Sequence, residues 1–209
     1  MFEHSRPWAW PLTGYAVQMS FFELFLEDCL PNLSSLSLLG CDFTRFKVLK
    51  ISGPQLLNVT IRSMWYCYGG LSKGCKVEIS APKLTFLSYK ESHMVDFSVI
   101  NLPSLQHADV DVFLSYEEEN EDIQYLLKFF QGLYNVQSAT LSYSTIQALN
   151  GVPGLEHQQS PFSRLSLKLT HPSDCPFPIP VKVAKYLCNG SPTPDTILAK
   201  SQRYFLFGI

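Results

Sequence analysis

From residue 31 onward the apolar positions of the chain fall into copies of one short pattern. Four copies open with Pro-x-Leu, at 31–33, 54–56, 82–84 and 103–105, and place apolar residues three and five positions after that Leu. The sets are Leu33, Leu36, Leu38; Leu56, Val59, Ile61; Leu84, Leu87, Tyr89; and Leu105, Ala108, Val110. Two weaker copies lack the full opening: Val136, Ala139, Leu141 and Phe162, Leu165, Leu167. The first copy also carries Cys41, which completes the order Leu-x-x-Leu-x-Leu-x-x-Cys. In each copy the last two apolar positions stand two apart, so in an extended strand they share a face while the residues between them point the other way. Such a strand is unstable alone. Stacked as parallel neighbours, the copies merge their inward side chains, each contributing roughly 1.5–3 kcal/mol on burial, so that one coil stabilises the next.

A second periodic element lies just upstream of three of the prolines. Ile51, Ile79 and Ile100 each end a strand-like run, at 48–51, 76–79 and 97–100, and the proline ends it by withholding a ladder donor and restricting its predecessor. These runs are expected as short strands on the returning, convex side. One return reads as a helix instead. Residues 121–132 place Ile123, Leu126, Leu127 and Phe130 at helical spacing, with acidic residues at the start and Gly132 at the stop. The predicted fold is therefore α/β, a right-handed leucine-rich-repeat solenoid of about six repeats with a parallel concave sheet (a horseshoe). Residues 1–25 are expected to form an N-terminal capping segment, 26–192 the repeat domain and 193–209 a C-terminal tail. The aromatic residues Trp8, Trp10, Phe21, Phe22 and Phe25, with Tyr204, Phe205 and Phe207 at the other end, fit the caps a solenoid needs; a disordered or non-native tail is the alternative for 196–209.

Composition narrows the function. Hydrophobic residues make up 46% of the 209 and charged ones 16%, which supports a continuous core and excludes wholesale disorder. The net charge of −2, with dispersed Lys and Arg, lacks the concentrated positive field that nucleic acid requires. No window reaches the ~18 apolar residues of a membrane span, and the N-terminal stretch lacks a clean signal-peptide core. Six cysteines show neither a CxxC pair nor Cys/His ligand spacing, so they are expected as reduced thiols in a cytoplasmic or nuclear protein, with Cys41 and Cys75 acting as small buried hydrophobes. There is no HExxH, G-x-S-x-G, phosphate-binding loop or dinucleotide-binding glycine pattern. No catalysis, metal or cofactor is expected.

Three pieces together resemble plant F-box/leucine-rich-repeat proteins. They are the Leu-x-x-Leu-x-Leu-x-x-Cys block at 33–41, the Ile-Ser-[Gly/Ala]-Pro-x-Leu openings at 51–56 and 79–84, and LLKFFQGLYNVQSATLS at 126–142. The stretch IPVKVAKYLCNGSP at 179–192 resembles the close of that family's repeat array. The resemblance covers roughly 25–195 and implies a repeat array that recruits substrates to a cullin-type ubiquitin ligase. The family's F-box, which docks on a Skp-type adaptor, and its C-terminal FBD module have no counterpart in the pattern. Adaptor binding is not expected from this chain.

Outward strand positions carry the candidate chemistry. The middle position of each copy is small and polar: Ser37, Thr60, Ser88, Asp109, Thr140 and Ser166. One flanking column reads Ser35, Asn58, Phe86, His107, Ser138 and Arg164; the other reads Leu39, Arg62, Lys90, Asp111, Ser142 and Lys168. Polar residues facing solvent explain most of this. The functional reading is a protein-binding face built from Arg62, Phe86, Lys90, His107, Asp109, Asp111 and Arg164, with Arg62, Phe86 and His107 as anchors, because aromatic and Arg side chains dominate interface energies. A rival from another class is a β-solenoid enzyme acting on polysaccharide, which needs clustered Asp with Arg or Lys on one sheet face; Asp109, Asp111 and Arg62 are the candidates for it. A third is a truncated product without independent function. The run at 117–122, four Glu with Asn120 and Asp122, is read as a solvated loop leading into a helix N-terminus.

Overall fold

The computed structural model describes residues 32–40, 42–43, 47–62, 70–71, 75–100, 102–114, 120–162, 165–170, 178–188 and 197–198. The strands follow from the pattern above. Along the chain they are β1 (Ser35–Leu39), β2 (Asp42–Phe43), β3 (Val48–Ser52), β4 (Asn58–Arg62), β5 (Gly70–Leu71), β6 (Lys76–Ser80), β7 (Phe86–Glu91), β8 (Asp96–Ile100) and β9 (His107–Val112). There follow α1 (Asn120–Gly132), β10 (Ser138–Ser142), α2 (Tyr143–Gly151), a 3-10 turn (Leu155–His157), β11 (Ser166–Thr170), α3 (Val181–Cys188) and β12 (Ile197–Leu198).

Seven strands form one long sheet in the order β1-β4-β7-β9-β10-β11-β12, and every adjacent pair is parallel. Parallel neighbours need a crossover between them, and here each crossover is one return element. For the first three coils these are β3, β6 and β8, which form their own parallel three-stranded sheet. For the next three they are α1, α2 and α3. A further parallel pair, β2 with β5, lies between the first two coils' sheet strands and returns. This is the repeating coil of a leucine-rich-repeat solenoid. The three returning strands and the helix over 121–132 stand where the sequence places them. The seventh strand, β12, was not anticipated; it extends the ladder by pairing Ile197 with Lys168 and Leu198 with Leu169.

The register shows why the copies cohere. Leu36, Val59, Leu87, Ala108, Ala139 and Leu167 are successive ladder partners, and so are Leu38, Ile61, Tyr89, Val110, Leu141 and Leu169. All of the second row are buried, and of the first only Leu36, on the first strand, is partly exposed. The opening positions Leu56, Leu84, Leu105, Val136 and Phe162 are buried as well, as are Ile51 and Ile79 of the return strands. In the sixth copy the ladder pairs Leu167 with Ala139 and Leu169 with Leu141, so the strand begins two residues later than a strict repeat would have it, and Ser166 and Lys168 stand opposite Ser138 and Thr140.

The prolines do more than stop the returns. Leu56 N donates to Gly53 O, Leu84 N to Ala81 O, Leu105 N to Leu102 O and Val136 N to Leu133 O, at 2.9–3.3 Å. Each is a four-residue turn whose second position is Pro54, Pro82, Pro103 or Tyr134, where the fixed φ of proline is favoured. Neighbouring turns are tied by side chains: Lys83 Nζ to Gln55 Oε1 (2.8 Å), Ser104 Oγ to Pro82 O (2.7 Å) and Asn135 Nδ2 to Pro103 O (3.3 Å).

Where the return changes from strand to helix, the core changes too. A helix is a thicker layer than a strand, and on the first two strands followed by a helical return the column that holds Val59 and Leu87 in earlier coils narrows to Ala108 and Ala139, before Leu167 restores it on β11. The seam is filled by aromatic rings. Tyr89 of β7 meets Phe97 of β8 edge-on with ring centroids 5.0 Å apart, Phe97 lies 4.7 Å from Phe129 of α1, and Phe130 meets Phe162 at 6.2 Å. Such pairs contribute about 0.5–1.5 kcal/mol each beyond their burial. Two polar contacts fasten α1 at the seam: Asp122 Oδ1 accepts from Met94 N (3.0 Å), and Lys128 Nζ pairs with Asp96 (2.7 Å).

Candidate functional site

The face of the long sheet turned away from the returns is where the alternation puts the polar side chains. Register brings the candidates onto three adjacent strands: Phe86 is the ladder partner of His107, Arg62 of Lys90, Lys90 of Asp111 and Ser88 of Asp109. Arg62, Phe86, Lys90, His107, Asp109 and Asp111 therefore form one patch on β4, β7 and β9. Arg164 falls outside the described residues, as do the aromatic termini, Cys29, Cys41, Cys67, Cys175 and the Glu residues at 117–119.

The patch is internally connected. Lys90 Nζ lies 2.7 Å from Asp109 Oδ2, and the same oxygen accepts from Ser88 Oγ at 3.4 Å. The pair is largely covered, with side chains 15% and 23% exposed, so it is less screened than a surface pair. His107 is exposed, while Phe86 and Arg62 are half-buried. His107 and Phe86 stand side by side on neighbouring strands, which sets an imidazole beside an aromatic ring.

Three outward positions read as solvent-facing are buried instead. Ser88 is 3% exposed because the Lys90–Asp109 pair closes over it, and Asp111 and Ser142 are covered by α2, which starts at the residue after β10. Asp111 Oδ1 accepts from Ser144 Oγ (3.2 Å) in the first turn of α2, where a helix N-terminus favours negative charge. Ser142 caps the same helix, accepting from Thr145 N at 3.1 Å. Asp111 is thus held within the fold rather than offered from the face. Asp109 is held by Lys90 and Ser88, and Asp111 by Ser144.

Two residues at this end of the patch escaped the sequence reading. Phe113 continues the outward row of β9 (His107, Asp109, Asp111) beyond the strand and is 50% exposed, with its N–H bonded to Glu91 O at 3.2 Å. Counting on by twos past Asp111, the last outward position assigned, would have found it. Thr145, fully buried, accepts from Val112 N (2.9 Å) and donates to Val110 O (3.2 Å), so its hydroxyl takes the place of a strand residue where β10 turns into α2. Only the fold reveals that substitution.

Of the cysteines, Cys75 is buried and Cys188 half-buried, both free. Burial pushes the Cys75 thiol up to about 11 and raises that of Cys188, which makes neither a nucleophile near neutral pH. Among the described residues no cluster of His, Cys, Asp and Glu is placed to hold a metal ion, and no helix is long and apolar enough to cross a membrane.

Parallel coils of this kind, with a polar face opposite the returns, define a leucine-rich-repeat fold. Comparison with known proteins agrees with the sequence resemblance. The chain is 31% identical over 155 residues to an F-box/FBD/LRR-repeat protein of Arabidopsis thaliana, covering 70% of this chain and 34% of that protein. It is 24% identical over 141 residues to an F-box/LRR-repeat protein of the same plant (62% and 28%) and 30% identical over 97 residues to an F-box protein (45% and 24%). The chain is thus a relative of the plant F-box/LRR-repeat proteins, and it spans about a third or less of the length of the relatives it matches. No family model matches the chain, and no solved structure does.

Proposed function

We propose that the chain is a protein-interaction module whose outward sheet face holds a protein partner, in the manner of the substrate-recruiting repeats of a ubiquitin-ligase F-box protein. The observation that carries this reading is the uneven face. Large and charged outward side chains gather on β4, β7 and β9 (Arg62, Phe86, Lys90, His107, Asp109), whereas the neighbouring β10 offers only Ser138 and Thr140. A patch with an aromatic anchor and a preformed ion pair, flanked by Ser35 and Ser37 on β1 and by Ser138 and Thr140 on β10, has the composition of an interface hot spot. Arg62, Phe86 and His107 act as anchors, and the Lys90–Asp109 pair fixes register by charge complementarity. Recognition is by shape and polar matching with no bond made or broken, no nucleic acid or membrane partner is involved, and adaptor docking is assigned to none of these residues. The module works in the cytoplasm or nucleus.

The test is affinity capture from plant extract with the wild-type chain and with an Arg62→Ala, Phe86→Ala, His107→Ala triple variant shown to be folded by circular dichroism. A protein recovered by the wild type and lost by the variant supports the assignment. Identical partner lists remove it.

A further inference from the structure

We draw no further inference here: the strongest candidate, the row of exposed rings that Pro54, Pro82, Pro103 and Tyr134 place along one rim of the long sheet, is accounted for by the turns those residues make, and nothing in the structure shows what covers it.

Discussion

The first three coils and the next three share a sheet but are closed in different ways. In the first three the return is a strand, hydrogen-bonded to its neighbours in a second sheet, and the core between the two sheets is filled by aliphatic side chains such as Leu49, Ile51, Val77 and Ile79. In the next three the return is a helix, whose backbone bonds are satisfied internally, so it is held to its neighbours by side chains alone. The difference teaches that the inward leucines specify the coil, whereas the residues beneath the return specify what closes it.

The comparison can be broken most directly at the seam. Phe129→Ala removes the ring shared by Tyr89, Phe97 and Phe130; a loss of about 3–5 kcal/mol is expected, read from urea unfolding. A cost under 1 kcal/mol would mean that the two halves do not share this core. Next is the size rule. Ala108→Leu should destabilise by about 1–3 kcal/mol through overpacking beneath the helical returns, and an unchanged midpoint would remove the argument that small residues make room there. Thr145→Val deletes the hydroxyl that serves Val112 N and Val110 O. Leaving those buried groups unmet should cost about 1–3 kcal/mol, with faster amide exchange at Val112 as the local signature.

A smaller effect is expected from alkali, and it favours neither half alone. Cys75, in the strand-closed half, has its thiol pushed up to about 11, and Tyr186 of α3, in the helix-closed half, has its phenol pushed up to about 12, both chiefly by burial. Tyr89 at the seam is raised too, first by burial and then by the Glu91 charge. Each group holds its proton more tightly folded than unfolded, so its contribution is complete below the ordinary pKa and is lost as pH climbs towards the folded value. Stability should therefore decline from about pH 9 upward. Cys75→Ala should flatten the first part of that decline in a series of urea titrations. The smallest effect belongs to the face: Lys90→Met with Asp109→Leu should shift stability by about 1 kcal/mol or less.

The strand-closed half was legible from sequence because two periodic signals coincide there. The inward leucines and the Ile-x-x-Pro endings mark both sides of each coil, and β3, β6 and β8 appear where those endings put them. In the helix-closed half only α1 was legible, since Ile123, Leu126, Leu127 and Phe130 keep the helical period. The buried positions of α2 are Thr145, Ile146 and Leu149, and a polar residue in the inward stripe hides the amphipathic pattern. With β10 running straight into α2, there is no turn residue to mark the boundary. Of the site, the outward face could be read, because parity along a strand needs no knowledge of neighbours, and so could the columns of the first five copies; in the sixth the columns are displaced by two residues, with Ser166 opposite Ser138 and Lys168 opposite Thr140. The burial of Asp111 and the role of Thr145 could not, because both depend on a helix from the following coil lying over the strand end.

The turns at Gly53, Ala81 and Leu102 are chemically alike, each leading through proline to an inward leucine, and the second and third are each bonded to the one before. Cutting the chain after Gly53 and rejoining it at Pro82 would regenerate Gly-Pro-x-Leu and set β1 against β7 with the same alternation of inward and outward residues. A sheet assembled from such turns can be lengthened or shortened by whole coils while each strand still meets a neighbour with matching inward side chains.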